Sequence, residues 1–138
     1  MEKETDSQLL AFIEEWKETP ERNREMFLHF REYLSNKDGV RLEFAARPGL
    51  TYSLRAVHAA QKKRGLFVMV DVIEDNPRWL SVCFYGEMVT DPEEQGDFVP
   101  EGLLGEDALC FDMEEWDEEF VRYVEARLDE ACRNASEE

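Results

Sequence analysis

Apolar residues recur at helical spacing through "TDSQLLAFIEEWKE", where Leu9, Phe12, Ile13 and Trp16 predict a first helix. Thr5, Asp6 or Ser7 can cap its first turn. A second helix is predicted over "TPERNREMFLHFREYLSNKDG", with Phe27, Phe30 and Leu34 on its stripe and Met26 and Tyr33 beside it. Thr19 is the expected N-cap, Pro20 suits the first helical position, and Gly39 is available for a left-handed cap. The pattern then changes to alternation. In "VRLEFAA", Val40, Leu42 and Phe44 oppose Arg41 and Glu43, and in "TYSLRAV", Tyr52 and Leu54 oppose Ser53 and Arg55. Pro48–Gly49 between them fits the centre of a type II turn, so the two segments predict a hairpin.

"GLFVMVDVIE" is almost unbroken apolar sequence, the pattern of a central strand covered on both faces. "DNPR" turns the chain, and "WLSVCFYGEMV" returns it as another strand. Residues 91–107 are expected to form a long acidic loop, pinned by Phe98, Val99, Leu103 and Leu104. "ALCF" suggests a short edge strand. "DMEEWDEEFVRYVEARLDEACRNA" predicts the last helix, with Asp112 and Glu115 at capping spacing, and the last few residues are expected to be disordered. The expectation is one α+β domain over residues 1–138. It is an antiparallel four- to five-stranded meander, with two N-terminal helices and one C-terminal helix packed on it. Helices confined to one face would leave the other to the acidic loop or to a second subunit. Small bacterial domains use the same helix–meander–helix order, an analogy of fold that carries no function.

Composition adds charge to this picture. Hydrophobic residues at 43% suffice for a core, so the 36% of charged residues does not imply disorder. The net charge of −17 is unevenly spread: residues 1–40 carry −4, residues 41–85 carry +3 and residues 86–138 carry −16. That field opposes approach to a polyanion, so nucleic acid is not an expected partner. The absence of a long apolar run and the acidic N-terminal residues point to a cytoplasmic protein without membrane contact. Cys83, Cys110 and Cys132 form no C-x-x-C pair, and each is expected as a free apolar filler.

Candidate chemistry is sparse. No metal-ligand spacing, nucleotide loop or nucleophile motif is present, so no metal, cofactor or catalytic residue is assigned. His29 lies near the apolar stripe of the second helix and is expected to be structural. Asp71 is an acid in an apolar strand, costly unless partnered, and Arg41, Arg55 or His58 is its expected partner. Tyr52, Arg55, His58 and Asp71 are therefore grouped as a candidate ligand site. Lys62, Lys63 and Arg64 are a candidate anion or docking site, against the plainer reading of a solvated loop. The expected function is a binding or protein-interaction module that self-associates or takes a protein partner. An enzyme or small-molecule binder at the candidate site is the alternative. A second alternative is an acidic decoy that binds a basic protein through residues 87–119.

Overall fold

The computed structural model describes residues 2–138, with side-chain surroundings from Asp6 onward. Helices α1 (Glu2–Glu15) and α2 (Asn23–Ser35) lead into strands β1 (Val40–Arg47), β2 (Thr51–His58), β3 (Val68–Ile73) and β4 (Trp79–Tyr85). A short 3-10 turn, Gly86–Met88, precedes strands β5 (Asp97–Leu103) and β6 (Glu106–Met113), and helix α3 (Glu118–Ser136) closes the chain. The six strands form one antiparallel sheet in the order β1-β2-β3-β4-β6-β5. The α+β architecture is as expected, with six strands in place of four or five.

The extra strand comes from the segment expected to be an acidic loop. Its second half is β5, and "ALCF" lies in β6, an interior strand between β4 and β5. Pro100 sits in β5, which is an edge strand, the place where a sheet tolerates a residue without an N–H. Leu104 and Gly105 both have positive φ, 50° and 86°, as a two-residue hairpin of the primed type requires. An irregularity in the pairing between Val99 and Leu103 further breaks the alternation that would have announced the strand.

Helix ends also differ from expectation. Helix α1 begins at Glu2, so Asp6 and Ser7 lie inside it; the side chain of Thr5 is outside the described surroundings. Helix α2 starts at Asn23, after Arg22 at φ 63°, and its cap is supplied by Glu18 rather than Thr19. The Glu18 carboxylate accepts from the N–H groups of Arg24 at 3.2 Å and Glu25 at 2.8 Å. Asp117, not Asp112, caps α3, accepting from the N–H groups of Glu119 and Phe120. Asp112 is held in β6 because Phe111 and Met113, on either side of it, are both buried in the core.

The core lies on one side of the sheet. Val68, Val70 and Val72 of β3, Leu80, Val82 and Phe84 of β4, and Phe111 of β6 are wholly buried with Phe27, Phe30, Leu34, Val124 and Leu128 of the helices. Helices α2 and α3 are joined by His29 to Glu125 at 2.7 Å and by Lys37 and Tyr33 to Asp129.

Two arginines tie the ends of the sheet to the helices. Arg78 pairs with Glu15 at 2.8 Å and Glu74 at 2.9 Å, and its guanidinium stands 4.9 Å from the Phe12 ring and 5.1 Å from that of Tyr52. Arg64, with a side chain 6% exposed, pairs with Glu87 at 2.9 Å, Glu106 at 3.1 Å and Glu138 at 3.2 Å, and lies over Tyr85. Glu138 is thereby fixed, contrary to the expected disorder of the last residues. Arg64→Ala leaves three neighbouring carboxylates without their cation. Urea denaturation is expected to show a loss of about 2–3 kcal/mol, less than the ~3–5 kcal/mol of a fully buried pair because Glu87 and Glu106 can rehydrate. A loss under about 0.5 kcal/mol, the range of ordinary surface changes, would show that the clamp does not stabilise the fold.

Candidate functional site

In a sheet, residues directly opposite across a strand pair share a face, so the register divides the candidate residues without further assumption. Tyr52 is opposite Val72, and Ala56 is opposite Val68; Tyr52 and His58 therefore belong to the face that carries the helices. Arg55 is opposite Met69 and Ser53 is opposite Asp71, so Arg55 and Asp71 belong to the other face. The four grouped residues do not form one site.

Tyr52 is part of the packing around Arg78. Its ring stacks on Phe12 at 4.2 Å, and its hydroxyl donates to Glu74 at 3.1 Å and accepts from the Gly49 N–H at 3.2 Å. His58 fixes the turn after β2, where its Nδ1 accepts from the Ala60 N–H at 3.0 Å. Its ring fills the space beside Gly39, where a Cβ would come within 2.8 Å of Nε2; with φ at 77°, that position admits only glycine without strain.

The other face is different in character. Among the described residues no helix packs on it, Arg64 lies over Tyr85 near one end of it, and the segment expected to cover it forms β5 and β6 at the end of the same sheet. Across its middle runs a polar row from β2 to β6: Ser53, Asp71, Ser81 and Asp112. The Ser81 hydroxyl donates to Asp112 at 2.9 Å. On one side of this row lie Thr51, Ile73 and Trp79, all half-buried. On the other lie Arg55, Met69, Cys83 and Cys110. Cys83 and Cys110 are joined in a cross-strand disulfide, which overturns the expectation of free thiols; only Cys132 is free.

Asp71 is the perturbed group of this face. Burial pushes its carboxyl above the usual carboxylate range, against the pull of the Ser53 hydroxyl and the charges of Arg55 and Arg47. Its Oδ1 is buried without a hydrogen-bond partner. None of the expected partners forms an ion pair with it. Arg41 pairs with Glu43 at 3.0 Å, Arg55 Nε donates to Ser53 at 3.3 Å, and His58 is on the far face.

The basic segment is divided. Lys62 and Lys63 are exposed, whereas Arg64 turns inward to its three carboxylates. Among the described residues, no group of His, Cys, Asp and Glu converges as a metal site, and no helix is long and apolar enough to cross a membrane. A cleft of about 570 Å³ lies on the helix side between α1, α2 and β1, lined by Leu9, Arg31, Leu42 and Glu43. It includes neither Asp71 nor Arg55. Sequence reasoning passed over Ser81, Asp112 and the cystine because their juxtaposition depends on β4 pairing with β6 across the skipped β5. Compared with known protein families, curated proteins and solved structures, the chain matches none of them.

The raised Asp71 carboxyl has a consequence for stability. A group that binds its proton more tightly when folded costs stability as pH rises from the ordinary carboxylate value through the raised one. Asp71→Asn removes that cost. Its melting temperature is expected to exceed that of the parent protein at neutral pH, and the difference should shrink toward zero in acid, where the parent Asp71 is protonated in both states. Thermal denaturation across pH would check this; a variant less stable at neutral pH would show that the charge of Asp71 is compensated.

Proposed function

We propose that this protein is an interaction module that works through the sheet face opposite its helices. The observation that supports this most is the open face itself, where half-buried Met69, Ile73 and Trp79 surround a polar row with one unpartnered carboxylate oxygen. A strand rich in apolar residues on both faces, yet covered by its own chain on one, is suited to a protein partner.

The charge layout favours a second copy as that partner. On the open face β1 and β2 carry Arg41, Arg47 and Arg55 against one acid, Glu43. Asp71 lies beside them on β3, and at the other end β6 and β5 carry Asp112 and Asp97. Two such faces can meet about a two-fold axis in the sheet plane. An axis along the strands brings the basic end of each copy over the acidic end of the other. An axis across the strands overlays like on like, so charge selects the first.

The area is modest. Six strands at about 4.8 Å and six residues at about 3.3 Å give roughly 570 Å² of flat sheet. That is below the ~800 Å² per partner of a standard interface, so the dimer is weak. The net charge of −17 opposes it further until salt screens the field to about 8 Å.

The acidic-decoy reading has less support, because several of the carboxylates it needs are already engaged within the chain. Glu87 and Glu106 hold Arg64, Glu118 meets Arg122 at 2.9 Å, Asp91 accepts from the Tyr123 hydroxyl, and Asp117 caps α3. A small-molecule site at Asp71 is favoured by one feature only, the free Oδ1.

Sedimentation velocity at low and physiological salt tests the self-association. Dimer is expected to increase as salt rises from the low value. Arg55→Glu alone and Asp112→Lys alone should each weaken it about tenfold, near 1.4 kcal/mol, and the two together should restore it. A monomer under every condition up to high protein concentration would refute the dimer. Self-association untouched by either charge reversal would place the interface elsewhere.

A further inference from the structure

Cys83 and Cys110 are directly opposite in the pairing of β4 with β6, and their Cα atoms are 4.1 Å apart. That is the close spacing of a pair without mutual backbone hydrogen bonds, where side chains approach most nearly. It is also shorter than the span of about 4.4–6.8 Å that disulfides usually bridge. Bonds held outside their preferred span are the more easily reduced ones.

The surrounding ladder makes such a bond dispensable for the fold. Strand β4 is paired with β3 as well as β6, and β6 is paired with β5 as well as β4. Six consecutive residues of β4, Leu80 to Tyr85, are in register with β6, so the strands remain joined when the sulfurs part. The pair also lies on the face that no helix covers. The two residues are 8% and 7% exposed, a narrow opening. Met69 is opposite Cys83 on β3, and the Ser81 hydroxyl is 3.5 Å from the Cys83 sulfur.

We propose that Cys83 and Cys110 form a reversible thiol–disulfide couple that exchanges with thiols of the glutathione or dithiol class. A donor thiolate attacks one sulfur of the pair, the Cys83–Cys110 bond breaks, and the released sulfur takes up a proton. A second donor thiolate then attacks the mixed disulfide and frees the remaining cysteine, which is protonated in turn. Two electrons and two protons pass to the protein, and the donor becomes its disulfide. Oxidation is the reverse, with the donor's disulfide as oxidant.

Cys132 takes no part. It lies on α3, and burial pushes its thiol above the ordinary range, with Lys37 opposing and Asp129 adding, so at neutral pH it is a protonated and poor nucleophile. The inference is independent of self-association, since it rests on the span, the register and the uncovered face alone.

The test uses the full chain carrying Cys132→Ser, so that only the pair is counted. The folded protein is equilibrated in glutathione buffers from fully reduced to fully oxidised and quenched in acid, and its thiols are counted by mass after alkylation. Two thiols are expected at the reducing end and none at the oxidising end, with a smooth transition between them and an unchanged far-ultraviolet circular dichroism spectrum throughout. Two thiols at every ratio would overturn the proposal, as would a bond that persists in native buffer with excess dithiol. Loss of the spectrum on reduction would identify a structural staple and overturn it too. A Cys83→Ser, Cys110→Ser variant provides a second check, because it should fold to the same spectrum if the bond is dispensable.

Discussion

In β3, Val68, Val70 and Val72 are wholly buried while Met69, Asp71 and Ile73 between them are only half-buried, and this alternation constrains the rest of the molecule. Three helices are sufficient to cover one face of a six-stranded sheet. Most of the large apolar side chains that need full burial are accordingly placed on that face, from Leu54 through Leu80 to Phe111, while Tyr85, on the other face, is buried under Arg64. The opposite face must then be tolerable in water, and its polar row of Ser53, Asp71, Ser81 and Asp112 makes it so. The same row is what gives the face recognisable chemistry. Asp71 belongs to both descriptions: it wets an apolar strand, and it pays with a desolvated charge.

An acid-rich chain of this kind needs its few cations in specific places. Arg78 and Arg64 stand at different loops, Arg78 against the rings of Phe12 and Tyr52 and Arg64 over that of Tyr85, and each is faced by two or three carboxylates. Their effect is to convert scattered repulsion among Glu15, Glu74, Glu87, Glu106 and Glu138 into local attraction. The basic stretch that stands out in the sequence is thus partly internal. Arg64 belongs to the fold, while Arg47 and Arg55 belong to the open face.

The helices and the first four strands were legible because their signals are local: the stripe of Phe27, Phe30 and Leu34, the alternation around Leu42 and Phe44, and the turn at Pro48–Gly49. Strand β5 was not, since Pro100, Gly102 and an irregular pairing erase its period, and Leu104 occupies a turn position that asparagine usually signals. Caps failed where the acceptor came from an unexpected distance, as Glu18 does for α2. The candidate site was half legible. Asp71 was marked by its chemistry, and the separation of Tyr52 from Arg55 follows from their odd spacing alone. The meeting of Cys83 with Cys110, and of Ser81 with Asp112, depends on β6 inserting between β4 and β5, which no local pattern encodes.

The central claim is that the uncovered face is where this protein meets a partner. Backbone amide chemical shifts recorded over a wide range of protein concentration, at physiological salt, test it most directly. The account predicts that the shifts which move with concentration cluster on Arg55, Met69, Asp71, Ser81 and Asp112 and spare the exposed faces of α1, α2 and α3. Movement confined to the helices, or to the exposed loop at Lys62 and Lys63, would contradict it.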